Sequence, residues 1–106
     1  MIFVETPVFT EDVKVLLTDD AYGALQAHLS AYPSFGPVIP ETGGLRMLRW
    51  KAGSAGKRGG VRIIYYHVQT ASQIWMLLIY RKGIKDDLTA VEKRLLKTRV
   101  RKWPDG

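Results

Sequence analysis

Basic side chains interrupt stretches of the sequence that otherwise have the composition of buried β-strands. They are Arg46, Arg49 and Arg62 within the apolar runs, and Arg81, Lys82 and Lys85 directly after the last run. An arginine in a strand whose other face meets helices must face solvent, a phosphate or a carboxylate, because an unpaired buried charge is costly. Antiparallel pairing brings such residues side by side. The resulting basic surface can bind several phosphates and stabilise charge in a phosphorane-like transition state.

Aromatic residues are interleaved with these bases along the same stretches. They are Trp50, Tyr65, Tyr66 and Tyr80. Aromatic rings beside cations are typical of surfaces that stack on nucleobases. Packing in the core or on the sheet is the alternative for each ring, and it is the more frequent role of such residues.

Other catalytic chemistries find little support in the sequence. The chain has no cysteine, which excludes disulfides, thiolate zinc sites and cysteine nucleophiles. The two histidines, His28 on a predicted helix and His67 near a strand end, are expected to be structural rather than metal ligands. Gly53, Gly56 and Lys57 lack the complete spacing of a phosphate-binding loop, and no helix follows them. We therefore expect neither a metal nor a cofactor.

The charges are segregated along the chain, which has a net charge of +6. Residues 1–44 contain one base and six acids, for a net −5, whereas residues 45–106 contain 15 bases and four acids, for a net +11. A surface polarised in this way suggests a polyanionic partner, either nucleic acid or an acidic protein segment. The alternative is a basic surface that serves solubility alone.

The length and hydropathy of the chain bound its class. With 106 residues, of which 46% are hydrophobic, the chain is expected to form a single domain over residues 1–106. Its longest apolar run, at residues 75–80, is too short to span a bilayer, and residues 1–7 do not have the pattern of a signal peptide. We expect a cytoplasmic protein.

Hydrophobic periodicity and turn residues predict the elements that position the basic residues. Pro33 should end the second helix, and Thr89 with Glu92 has the spacing of a capping box at the start of the last one. Strands are predicted at residues 2–4, 45–51, 61–68 and 74–80, and helices at residues 7–17, from 18–20 to 32, and from 89 onwards. A loop at residues 52–60 and a tight turn at 69–72 imply hairpins. The order β-α-α-β-β-β-α predicts an α+β domain with an antiparallel sheet and the N-terminal helices on one face.

Three blocks of the sequence carry a resemblance to a known family. They are Gly43-Gly44-Leu45-Arg46-Met47-Leu48-Arg49, then Gly56-Lys57-Arg58-Gly59-Gly60-Val61-Arg62-Ile63-Ile64-Tyr65-Tyr66, then Leu77-Leu78-Ile79-Tyr80-Arg81-Lys82-Gly83 followed by Lys85-Asp86-Asp87-Leu88-Thr89. In combination they resemble the RelE/HigB-like toxins of bacterial type II toxin–antitoxin systems, and most of all the HigB-type branch. The resemblance is dense over residues 40–90, and the predicted N-terminal strand and helices also fit it. It implies a RelE-like fold.

The resemblance also implies an activity, the metal-independent cleavage of mRNA in the ribosomal A site by attack of the ribose 2′-OH on the adjacent phosphate. Arg62 then contacts and neutralises the scissile phosphate. Lys82, with Arg81 beside it, stabilises the transition state or protonates the leaving 5′-oxygen. Arg49 is the third catalytic residue, with Arg46 as the alternative.

Further contacts with RNA or the ribosome follow from the same pattern. They are assigned to Arg46, Lys57, Arg58, Arg81, Lys85 and Tyr66. Met47 stands where some relatives have a lysine, Gly83 stands where asparagine is common, and no tyrosine after Lys85 matches the family's late catalytic tyrosine. The general base is therefore unassigned, because arginine is a poor base at neutral pH.

The partners that the resemblance implies are the ribosome with its mRNA and a cognate antitoxin of the helix-turn-helix HigA type. Operator DNA would be contacted only through that antitoxin, and no membrane is involved. Three alternatives stay open: an RNA- or ribosome-binding protein that does not cleave, a toxin homologue that has lost cleavage, and a non-toxic structural partner in a DNA-bound transcriptional complex.

Overall fold

A computed structural model describes residues 1–51, 60–84 and 88–102 of the chain. Three helices and a four-stranded sheet confirm the predicted α+β class. The elements are β1 (Ile2–Glu5), α1 (Pro7–Leu16), α2 (Asp19–Ala31), β2 (Arg46–Trp50), β3 (Val61–Val68), a short 3-10 helix (Gln69–Ala71), β4 (Gln73–Arg81) and α3 (Ala90–Lys102). None of the described helices is both long enough and apolar enough to cross a membrane.

The sheet is mixed, so the prediction of an antiparallel sheet is wrong for one strand. Its order is β1-β4-β3-β2, with antiparallel pairing of β2 with β3 and of β3 with β4, as the predicted hairpins require. β1 pairs with β4 in the parallel direction. Hairpin connections fix the direction only of strands that follow one another directly, whereas β1 and β4 lie at opposite ends of the sheet-forming sequence.

Side-chain caps define where the helices begin. The Thr6 hydroxyl accepts a hydrogen bond from the Phe9 N–H at 3.1 Å and donates one to the Leu77 carbonyl at 2.9 Å, which ties the start of α1 to β4. Thr18 caps α2 in the same way. The predicted capping box of α3 is confirmed, because Thr89 and Glu92 exchange two backbone–side-chain hydrogen bonds, at 2.9 and 3.1 Å.

The first face of the sheet, here called the α1–α2 face, contains most of the core. Side chains of α1 and α2 pack against alternate residues of β3 and β4 in one continuous apolar cluster. Among the largest are Phe9, Leu25, Leu29, Ile63, Tyr65, Ile74 and Met76, all fully buried. The N-terminal helices therefore cover one face, as the sequence predicts.

The opposite face, here called the α3 face, is covered less completely. Its buried cluster contains Leu45, Ile64, Leu77 and Leu88, with Leu96 and other partly buried side chains around it. No residue of α3 itself, all of which the structure describes, is fully buried. A cavity of about 640 Å³ lies between α3 and the start of α1. The α3 face therefore has room for polar groups and for solvent.

Candidate nucleic-acid interface

Three polar side chains form a row across the α3 face. Arg49 of β2 lies opposite Arg62 of β3, and Arg62 lies opposite Tyr80 of β4. Residues that pair directly across a sheet lie on the same face, and their Cβ atoms are about 5 Å apart. The register therefore brings together two of the three predicted catalytic residues, Arg49 and Arg62, and adds a tyrosine that the sequence had suggested only as a stacking residue.

Arg62 is the most buried charged residue among those the structure describes. Only 7% of its surface is exposed, and it lies on β3 between two other strands, next to the buried Val61 and Ile63. The guanidinium places a positive charge at this position. Because the surroundings exclude most of the water, an anion that reaches this charge is attracted more strongly than on an exposed surface.

A pocket of about 310 Å³ adjoins the row. Tyr80 forms one of its walls, Met47 and Ile64 form the floor from the next row of the sheet, and Lys93 of α3 contributes a second cation. Ile39, Pro40 and Leu88 complete the lining. The volume is at the lower end of the range of small-ligand pockets, about 300–1,000 Å³. The pocket combines an apolar wall with a lysine, which suits a nucleotide base next to its phosphate.

Lys82 lies at the same end of the sheet as the row. Its N–H donates to the Gly60 carbonyl at 3.2 Å, which places the turn after β4 beside the start of β3, two residues before Arg62. Gly60 has φ +69°, and a Cβ there would lie 2.2 Å from the Trp50 carbonyl oxygen, so this close approach of three strands requires glycine. The Lys82 backbone is therefore at the same end of the sheet as Arg62, and its side chain is exposed.

Arg81 and Arg46 lie on the other side of the sheet. Arg81 pairs with Val61, whose side chain belongs to the α1–α2 core, and Arg46 pairs with the buried Tyr65. The Arg46 guanidinium donates from Nη1 to the Gly36 carbonyl at 2.8 Å and to the Ser34 carbonyl at 3.3 Å. Of the two arginines considered for the third catalytic position, Arg49 is the one that shares a face with Arg62.

Tyr66 lies four residues after Arg62 on β3, so the two residues are about 13 Å apart at 3.3 Å per residue. Its ring contacts that of Trp75, with centroids 5.6 Å apart. A cavity of about 380 Å³ there is lined by Tyr66, Lys97 and Arg101 among others. Tyr66 therefore lies on the α3 face but in a second basic area, formed by α3. Lys57, Arg58 and Lys85 lie outside the described residues.

Two of the aromatic residues proposed to stack on bases have structural roles. The Tyr65 hydroxyl accepts from the Gly36 N–H and donates to the Pro33 carbonyl, both at 2.9 Å, and burial raises the pKa of this hydroxyl. The Trp50 indole donates to the Ala21 carbonyl at 3.0 Å, which joins β2 to α2. Tyr65 therefore holds the segment after α2 to the sheet, and Trp50 holds α2 itself to it.

Sequence reasoning missed Tyr80 and Lys93 as site residues. The 3-10 turn pairs Val68 with Gln73, and a regular hairpin continuing from there would place Ile79, not Tyr80, opposite Arg62. A bulge between Ile64 and Tyr65 shifts the register by one residue. Residues 76–79 are all apolar, so the sequence has no apolar–polar alternation there that could have revealed the shift in register. Lys93 is one of several bases on α3, and only the packing of this helix on the sheet decides which of them reaches the pocket.

No family model matches the sequence. Within residues 1–51, 60–84 and 88–102 the structure has no cluster of three or more histidines and carboxylates that could hold a metal ion. The described site thus offers fixed cations, a tyrosine hydroxyl and an adjoining pocket. Chemically, this set can bind a phosphodiester, neutralise its charge and donate protons to its oxygens.

Proposed function

We propose that the chain is the toxin of a bacterial type II toxin–antitoxin system, a ribosome-dependent endoribonuclease of the HigB type that cleaves mRNA in the A site. The observation that carries the proposal is the position of Arg62, a buried guanidinium in register with Arg49 and Tyr80 on the less covered face of the sheet. A guanidinium at this position can bind a phosphate that reaches it through charge-assisted hydrogen bonds. The resemblance of residues 40–90 to HigB-type toxins supplies the identity of that ligand.

In the proposed reaction the ribose 2′-oxygen attacks the adjacent phosphorus. The 2′-hydroxyl releases its proton to solvent water, and the new O2′–P bond forms as the P–O5′ bond breaks, which leaves a 2′,3′-cyclic phosphate on one fragment and a 5′-hydroxyl on the other. Arg62 and Arg49 neutralise the non-bridging oxygens and the charge that develops on them. Lys82 donates the proton that the leaving 5′-oxygen takes up. Tyr80 adds a neutral hydroxyl donor to the same row.

None of these groups is a good base at neutral pH, so the proposal does not assign a general base. The 2′-hydroxyl is made reactive by the neutralisation of the phosphate and by alignment of the attacking and leaving oxygens. Each of these two effects can lower the activation free energy by about 3 kcal/mol or more. Alignment requires the ribosome to hold the mRNA, which agrees with a ribosome-dependent enzyme of the cytoplasm.

A second candidate is an RNA- or ribosome-binding protein that does not cleave. The observation that favours it is Met47, which lines the pocket beside the row and gives an apolar side chain where some HigB-type proteins have a lysine. Both candidates predict RNA binding by the same face, and only cleavage distinguishes them.

The deciding experiment is inducible expression in bacteria, with mRNA 5′ ends mapped by primer extension. The proposal predicts growth arrest and new in-frame ends within translated mRNA, both absent from the Arg62→Ala protein and both suppressed when a neighbouring helix-turn-helix gene is co-expressed. Growth arrest without new mRNA ends supports the non-cleaving candidate. Normal growth and intact mRNA at full expression contradict both toxin activity and the proposed site.

A further inference from the structure

A cluster of four aromatic rings lies at the C-terminal end of α2, away from the Arg49–Arg62–Tyr80 row. The His28 ring is at its centre, with centroids 5.3 Å from Tyr32, 4.4 Å from Phe35 in an edge-to-face arrangement and 5.3 Å from Trp50. Trp50 belongs to the face of β2 opposite to that of Arg49, since neighbouring residues of a strand alternate between faces. We call these four residues the aromatic platform.

The two outer rings of the platform are largely exposed. Tyr32 is 62% and Phe35 53% exposed, whereas Phe9 and Tyr65 are completely buried in the same small domain. Two adjacent aromatic side chains that leave most of their surface in water lose the free energy that burial would bring, and such patches mark binding sites. Packing alone therefore does not explain the platform.

The backbone that carries Phe35 is held in place from beneath. Tyr65 bonds both the Pro33 carbonyl and the Gly36 N–H, and the Arg46 guanidinium bonds the Ser34 and Gly36 carbonyls. A Cβ on Gly36 would lie 2.6 Å from the Met47 carbonyl oxygen, so the segment presses directly on β2. The rings are thus positioned before any ligand arrives, which lowers the entropic cost of binding.

Arg46 places a cation beside the platform. Residues 21–40 contain no lysine, arginine, aspartate or glutamate, although the N-terminal part of the chain is acidic overall. In the adjoining strand β2, Arg46 lies on the same face as Trp50 and Arg49 on the opposite face, and no carboxylate occurs in residues 45–51. Arg46 holds its guanidinium beside the backbone of Phe35, and Lys51 follows Trp50 directly and is exposed.

We propose that the aromatic platform binds an unpaired nucleotide of RNA, whose base stacks on Tyr32 and Phe35 and whose phosphate contacts Arg46. Stacking on rings is tolerant of base identity, and nearby cations recognise the backbone. An apolar peptide would use the rings but not the Arg46 guanidinium beside them, so the observations favour RNA. β2 presents Arg49 on one face and Trp50 on the other. A single RNA chain that crosses β2 can therefore contact both the Arg49–Arg62–Tyr80 row and the aromatic platform.

The choice of RNA as ligand rests on the proposed function, but the test does not require cleavage. The probe is a fluorescein-labelled single-stranded RNA decamer with 2′-O-methyl groups, which removes the attacking hydroxyl, and binding is followed by fluorescence anisotropy with the full chain. Tyr32→Ala and Phe35→Ala should each weaken binding about tenfold, as for the loss of one stacked base. Phe35→Trp should retain the affinity, whereas Phe35→Leu, which stays apolar but lacks a ring, should weaken it like the alanine variant.

Val15→Ala is the matched control, since Val15 is an exposed apolar residue on α1, 76% exposed. It should bind the RNA like the wild type, and the melting temperatures of all variants should agree within a few degrees. With 5-iodouridine in the decamer, photocrosslinks should map to the segment that contains Tyr32 and Phe35.

Unchanged RNA affinity in the Tyr32→Ala/Phe35→Ala double variant overturns the inference, and so does a wild type that does not bind the decamer. Full affinity of Phe35→Leu also overturns it, because a patch for an apolar protein segment needs no ring. The proposed function fails separately, through intact mRNA in the expression experiment. A chain that cleaves mRNA while the platform variants bind normally loses only this inference.

Discussion

The two faces of the sheet use the same strands for different purposes. On the α1–α2 face, alternate residues of β3 and β4 such as Ile63 and Met76 are sealed under two helices. On the α3 face, the intervening positions include Arg62 and Tyr80, under a single helix with no fully buried residue. The strand period of two lets one face stabilise the fold while the other holds a buried charge. The comparison teaches that the main core of the fold is built without Arg62, on the opposite face of the strand that carries it.

The largest effect should come from a cavity on the α1–α2 face. Phe9→Ala removes a completely buried ring and should lower the free energy of unfolding by about 3–5 kcal/mol. Leu96→Ala on α3 removes a side chain that is only partly buried and should cost about 1 kcal/mol. Urea denaturation followed by circular dichroism measures both. Similar losses for the two variants would show that α3 supports the fold as much as α1 does.

The second effect concerns the charge on the α3 face. Arg62→Ala should reduce cleavage of translated mRNA by at least roughly 10²-fold, as for the loss of one transition-state donor. Arg62→Lys should restore only part of the rate, since an ammonium keeps the charge but not the two-pronged geometry of a guanidinium. Ribosome-programmed cleavage assays measure the rates.

The control is Arg94→Ala, which removes an exposed arginine of α3 and should leave the rate unchanged. Thermal melting of each variant accompanies the assays. If Arg62→Ala melts far below the wild type and loses activity together with its stability, Arg62 serves as a structural ion-pair residue. A folded Arg62→Ala protein with full activity removes it from the site.

A smaller effect should follow the removal of one hydroxyl from the α1–α2 face. Tyr65→Phe keeps the ring but leaves the buried Gly36 N–H without its acceptor, which should cost about 1–3 kcal/mol of stability. Burial raises the pKa of Tyr65, so the unfolded chain loses this proton first as pH rises above about 10, and the stability that the neutral hydroxyl contributes declines there. The wild type should lose stability at alkaline pH more steeply than Tyr65→Phe.

Tyr22, whose pKa is also raised by burial and by its hydrogen bond to Glu5, should leave some alkaline loss in the Tyr65→Phe protein. Urea titrations at neutral pH and at several pH values above 9 measure the difference. Parallel alkaline profiles of wild type and variant contradict a buried, hydrogen-bonded Tyr65.

The local features of this fold were predictable, and the non-local ones were not. Proline and threonine positions located the helix ends, since the cap of α3 depends on residues three apart. The parallel pairing of β1 depends on a partner some 70 residues away, for which no local pattern exists. The row Arg49–Arg62 followed from strand pairing, but its extension to Tyr80 depends on a bulge. Arg46 and Arg49 are three residues apart on one strand and so had to lie on opposite faces, but which of them shares a face with Arg62 was undetermined until the register was known.

The smallest expected effect is on the salt dependence of RNA binding, which should differ between variants of the two faces. RNA binding releases counterions, so the logarithm of the association constant should fall with the logarithm of salt concentration by about 0.7 for each phosphate contact on a single strand. Arg49 is exposed and in register with Arg62, and we expect it to contact one phosphate. Arg49→Ala should therefore reduce the slope by about 0.7 while weakening binding only modestly at high salt.

Lys14 provides the comparison, because it is an exposed cation of α1, which packs against the other face. Lys14→Ala changes the net charge of the chain by the same amount as Arg49→Ala. If the charge of the whole molecule governed binding, the two variants would have the same slope; if contacts on the α3 face govern it, only Arg49→Ala should differ from the wild type. Anisotropy titrations of the 2′-O-methyl RNA at several salt concentrations measure the three slopes. A flat profile for the wild type contradicts phosphate contacts altogether, and equal slopes for the two variants contradict the assignment of binding to the α3 face.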